Sequence, residues 1–80
     1  MGMNTLNSSR YRASRDFIVA KRARAGLTQK AVAERLGMSR SFVSRMESTG
    51  RIYVIDIPEL GEILGFDPDE LFRKLEKVKR

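Results

Sequence analysis

Apolar positions along the 80-residue chain recur at helical rather than strand spacing. From Ser8 or Ser9, either able to cap a helix, Tyr11, Ile18, the aliphatic stem of Arg22 and Ala25 follow at intervals of seven, four and three. They define one face of a first helix, and Gly26 ends it. Thr28 predicts the N-cap of a second helix, Gln29 to Leu36, which buries Val32, Ala33 and Leu36 and stops at Gly37. Ser39 predicts the cap of a third, Arg40 to about Ser48, with Val43 and Met46 inward and Gly50 closing it. Asp56-Ile57-Pro58-Glu59 has the form of a capping box with proline in the first turn. The fourth helix then runs to Leu64, burying Leu60, Ile63 and Leu64, with Gly65 as its stop. Asp67-Pro68-Asp69-Glu70 is a stronger start, with an acidic cap, proline first and glutamate third. The fifth helix turns Leu71, Phe72, Leu75 and Val78 inward, and Lys74, Lys77, Lys79 and Arg80 suit the negative end of its dipole.

Residues 1–7 lack this periodicity and read as a flexible N-terminal arm. Residues 8–80 read as a single all-α domain without repeats or low-complexity segments. A chain of this size buries only about 60% of the surface it exposes when unfolded, so self-association is a way to gain stability. Cysteine and histidine are absent. Their absence argues against disulfides, thiolate chemistry, most transition-metal sites and the commonest general base near neutral pH. The apolar run Ile52 to Ile55 is far too short to cross a bilayer, and no apolar signal core lies near the N-terminus. The expectation is a cytoplasmic protein.

The net charge of +6 is unevenly placed. Met1 to Arg51 holds 11 Lys and Arg against 3 Asp and Glu, whereas Ile52 to Arg80 holds 5 against 7. The asymmetry points to a polyanion-facing side in the first part, with a solvated charged face the competing reading.

The most informative feature is the pair of short helices joined by Gly37-Met38-Ser39. So tight a turn makes them cross steeply, one able to enter a groove while the other spans the backbone. Ala33 allows the close crossing and Gly37 supplies the left-handed turn angle. Gly26-Leu27-Thr28-Gln29, Val32-Ala33-Glu34-Arg35-Leu36-Gly37 and Ser39-Arg40-Ser41-Phe42-Val43-Ser44-Arg45-Met46-Glu47 together resemble the phage Cro and repressor (XRE-like) type of helix-turn-helix. The close resemblance covers about Ile18 to Arg51, with the helix-turn-helix itself at about residues 28–48. It implies a compact five-helix, lambda-repressor-like DNA-binding domain.

Arg40, Ser41, Ser44 and Arg45 lie opposite Val43 and Met46, on the face from which a third helix of this type reads bases. Arginine can bind the O6 and N7 of guanine bidentately, so Arg40 and Arg45 are the expected readers. Ser41 and Ser44 suit bases or phosphates equally. Gln29 stands at a helix N-terminus, where amides and dipole favour phosphate. The resemblance implies that its side chain contacts the DNA backbone and braces Arg40. Lys30, Ser39 and Arg51 complete the expected backbone contacts, Lys30 by charge alone. Phe42 admits two readings, core packing near Met46, which is preferred, or contact with a thymine methyl. The resemblance also implies a structural ion pair between Arg22 and Glu47. Asp67, Asp69 and Glu70 are explained by capping rather than by cation binding.

One helix-turn-helix spans few base pairs, so a homodimer on a near-palindromic operator is expected, its half-sites about 34–36 Å apart. Ile52, Tyr53, Val54, Ile55 and Ile57 are unusually apolar for a loop and are the candidate dimer surface, with folding back onto the core the competing reading. This segment also departs from the short polar stretch common in relatives. The partners expected are double-stranded DNA and a second copy, with a protein partner (polymerase or a cognate regulator) left open. No cofactor, metal or membrane is called for, and ligand sensing is not expected without an effector domain. The competing function is a protein-interaction module, an antiactivator or antitoxin, on the same fold. Catalysis is not expected, since no nucleophile has a base and no glycine-rich loop cradles phosphate.

Overall fold

Five α-helices and one short 3-10 turn make up residues 9–78, which a computed structural model describes. They are α1 (Ser9–Ala25), α2 (Gln29–Leu36), α3 (Arg40–Thr49), the 3-10 turn Val54–Asp56, α4 (Ile57–Leu64) and α5 (Pro68–Glu76). No strand occurs among the described residues, so the fold is the all-α, five-helix arrangement that the apolar spacing predicts. The arm expected over residues 1–7, the alternative cap Ser8 and the tail residues Lys79 and Arg80 lie outside the described residues.

Side-chain caps start three of the helices. The Thr28 hydroxyl accepts from the Ala31 amide at 3.0 Å and the Ser39 hydroxyl from the Phe42 amide at 3.2 Å. The Asp67 carboxylate accepts from the Asp69 amide at 3.0 Å. Asp56 departs from expectation: its side chain caps nothing, and the capping box is not formed. A cap residue needs extended backbone, whereas Asp56 is already helical (φ −91°, ψ −9°) because the 3-10 turn runs directly into α4.

The core takes one fully buried side chain from each helix: Ile18, Val32, Val43, Leu60 and Leu71. Ala33, Met46, Ile57 and Leu64 pack around them. On α1 the buried positions are Ser14, Phe17 and Ile18, while Ala25 is exposed rather than inward. Phe17 meets Phe66, from the loop before α5, edge to face at 5.0 Å. On α5, Leu71 is buried and Leu75 half-buried four residues on, while Val78, expected on the same helix, is half-buried just past its end at Glu76. Phe72, expected inward, sits at the margin of that face and is 42% exposed.

Polar contacts tie α1 to α5. The Lys21 ammonium donates to Glu70 at 2.8 Å while lying 5.4 Å from the centre of the Phe17 ring. That hydrogen bond holds the Glu70 carboxyl below its ordinary range. Arg10 donates to the Leu75 carbonyl in the last turn of α5.

Candidate nucleic-acid interface

Gly37 sets the geometry of the pair α2 and α3. Its φ of +71° lies in the left-handed region, and it ends α2 with its own amide bonded to the Glu34 carbonyl at 3.2 Å. The Met38 amide closes the turn on the Ala33 carbonyl at 2.9 Å. Ala33 is buried where the two helices meet, and Val43, wholly buried, fixes the rotation of α3 about its axis.

That rotation decides which face of α3 meets solvent. Arg40, Ser41, Ser44 and Arg45 are all exposed, and with Ser48 they line one shallow depression of about 430 Å³. Neither the Arg40 nor the Arg45 guanidinium has a hydrogen-bond or ion-pair partner among the described residues. Both charges are therefore solvated and available to an anionic ligand. Lys30 and Ser39 are exposed at the starts of α2 and α3, Ser39 already occupied as a cap. Arg51 is exposed past the end of α3, its guanidinium carbon 5.5 Å from the centre of the Tyr11 ring.

Beneath this surface lies the ion pair that the resemblance implies. Arg22 donates to the two Glu47 carboxylate oxygens, from Nε at 2.6 Å and from Nη2 at 3.0 Å, and from Nη1 to the Leu27 carbonyl at 2.9 Å. Gln29 differs from expectation. Its amide donates to Glu47 at 2.9 Å instead of turning towards Arg40, because the buried carboxylate offers a stronger acceptor than solvent. The Gln29–Glu47 contact spans 18 residues and carries no local sequence signal.

Phe42 is half-buried and stacks on Tyr53 with ring centres 5.9 Å apart and planes 20° from parallel. Its position thus follows the packing reading, with an added partner in the loop. The expected dimer surface is smaller than the sequence indicates. Ile57 belongs to the core at 6% exposure because the first turn of α4 faces it inward, and Ile52, in the loop before the 3-10 turn, is half-buried against the core. Tyr53, Val54 and Ile55 remain, 67%, 74% and 82% exposed. Among the described residues no group of His, Cys, Asp or Glu is arranged to hold a metal, and no helix is long and apolar enough to cross a membrane.

Comparison with known proteins agrees with this geometry. Residues 10–73 match the family described as a helix-turn-helix domain. A solved structure titled XRE-family like protein, from Pseudomonas syringae pv. tomato str. DC3000, is similar with a TM-score of 0.78 and 39% sequence identity. The similarity covers 94% of this chain and 93% of that one. No curated protein matches the chain. The family match spans α1 to most of α5, and the solved relative shares both fold and sequence over nearly the whole length: the chain belongs to the XRE-like helix-turn-helix family of DNA-binding regulators.

Proposed function

We propose that this protein is a sequence-specific transcriptional regulator that binds double-stranded DNA as a homodimer, with α3 in the major groove of a near-palindromic operator. The observation that carries this reading is the exposed face of α3, where two unpartnered guanidiniums and three hydroxyls line one depression. Arg40 and Arg45 read guanine edges, each such contact worth about 1–3 kcal/mol of discrimination. Ser41 and Ser44 add base or phosphate hydrogen bonds. Gln29, Lys30, Ser39 and Arg51 hold the backbone, Gln29 by donating the second amide hydrogen that its Glu47 contact leaves, which fixes register without reading sequence. The exposed Tyr53-Val54-Ile55 run supplies the contact between copies.

Selection from a randomised duplex library at near-physiological salt, with Arg40→Ala/Arg45→Ala as control, tests the reading. Enrichment of a near-palindrome that the control loses is the expected result. Weak, salt-sensitive binding without sequence preference would overturn it in favour of a protein-interaction module on the same fold.

A further inference from the structure

A second cleft, of about 800 Å³, opens between the first half of α1, the end of α3 and the loop that follows. Arg12 and Arg15 stand on its α1 side, Arg45 on α3 and Arg51 on the loop, and among the described residues no acidic side chain lines it. Arg12 is exposed and Arg15 half-buried; Arg15 makes only a 3.5 Å contact with its neighbour Asp16, whose side chain is itself largely exposed. Such a contact between adjacent, solvent-accessible groups contributes little and leaves the charge available. Four guanidiniums around one open cleft repel one another unless an anion lies among them.

The cleft does not stand apart from the proposed reading face. Arg45 and Ser48 line both depressions, so the two open on neighbouring flanks of α3 and meet along its edge. A duplex seated on Arg40 and Arg45 carries a phosphate strand over that edge, towards Arg51 and then α1. A free small anion would touch part of the cleft, whereas a continuous polyanion meets all four cations. Arg12 and Arg15 also lie one helical turn apart, so both face the same strand.

We infer that Arg12 and Arg15 of α1 are further DNA-contacting residues, binding phosphates of the operator backbone beyond the edge of α3. The assignment rests on the proposed DNA-binding function and adds to its footprint a helix outside the helix-turn-helix. Phosphate contacts carry no base information, so these arginines raise affinity for every duplex equally.

The test is the salt dependence of binding to the selected duplex and to an unrelated duplex of the same length. Wild type, Arg12→Gln/Arg15→Gln and Arg12→Lys/Arg15→Lys are compared, each checked for an unchanged melting temperature. Two lost phosphate contacts lower the slope of log K against log salt by about 1.8. Between 50 and 200 mM salt, wild-type affinity then falls roughly tenfold further than that of the glutamine variant. The expected result is this lower slope on both duplexes with base preference unchanged, and a lysine variant that keeps the wild-type slope. A glutamine variant with the wild-type slope would overturn the assignment while leaving the proposed function standing. A lysine variant that loses the slope would overturn it too, since charge would not be what acts. If wild type selects no duplex at all, the proposed function and this inference fall together.

Discussion

Glu47 is a carboxylate only 6% exposed, and a charge so placed needs near-complete hydrogen bonding to be tolerated. Three donors supply it, two from Arg22 and one from Gln29. Removing the guanidinium leaves the buried charge with one neutral amide. Arg22→Ala is therefore expected to cost about 2–3 kcal/mol, a fall in melting temperature on the order of 10–20 °C for a domain of this size. Thermal unfolding by circular dichroism measures it, and an unchanged melting temperature would remove the pair from the account of stability. The Arg22–Glu47 partnership was legible in the sequence through the resemblance alone. The turn of Gln29 onto Glu47 was not. A helix N-terminus favours phosphate for any polar residue placed there, and nothing local shows that a desolvated acceptor from α3 lies within reach. The exposed positions were easier: once Val43 and Met46 are assigned inward, helical geometry forces Arg40, Ser41, Ser44 and Arg45 outward.

Two of the four left-handed glycines at the junctions between elements, Gly37 and Gly50, have similar backbone and different surroundings. Gly37 (φ +71°) has open space where a Cβ would stand, so Gly37→Ala incurs only the left-handed strain of about 1–2 kcal/mol. Gly50 (φ +79°) is buried, and a Cβ there would overlap the Tyr11 carbonyl oxygen of α1. Gly50→Ala adds displacement of α1 from the end of α3 to the same strain, and a loss beyond about 3 kcal/mol is expected. Urea unfolding of the two variants checks the order, and equal losses would show that α1 yields easily at this contact. The same contrast explains which elements the sequence reveals. Caps such as Thr28, Ser39 and Asp67 act within three residues, so their chemistry is written locally. Phe17 follows no distinctive rhythm, since Phe17-Ile18-Val19 is apolar throughout and leaves the phase of α1 open. Phe66 lies in a loop, where periodicity assigns no inward face, yet it completes the core by meeting Phe17. Asp56 carries a cap's chemistry without its backbone, because the preceding apolar residues form a 3-10 turn that sequence spacing does not show.

At the scale of the whole molecule, the described protein measures 37 × 24 × 22 Å, its long axis about one half-site separation, and it presents one α3. On the proposed function, reading two half-sites takes two copies, and a surface must join them. Tyr53, Val54 and Ile55 form an exposed apolar run on a chain otherwise rich in charge. Val54 and Ile55 are 74% and 82% exposed, so Val54→Ser/Ile55→Ser should leave the melting temperature of the protomer nearly unchanged. The same change removes apolar area from the proposed contact between copies. Sedimentation velocity is expected to show a dimer for wild type and a monomer for the variant. Binding to a full operator should weaken by more than tenfold, while binding to a single half-site stays within about twofold, as expected when linked half-sites lose their avidity. A variant that sediments as wild type would move the interface to another face, with the exposed Phe72 of α5 the next surface to substitute. The Tyr53 ring adds a consequence particular to this fold. It stacks on Phe42 of α3, so a partner pressing on the apolar run also bears on the proposed reading helix. Tyr53→Ala should then impair half-site binding as well as dimer formation, whereas the Val54 and Ile55 changes impair only the latter.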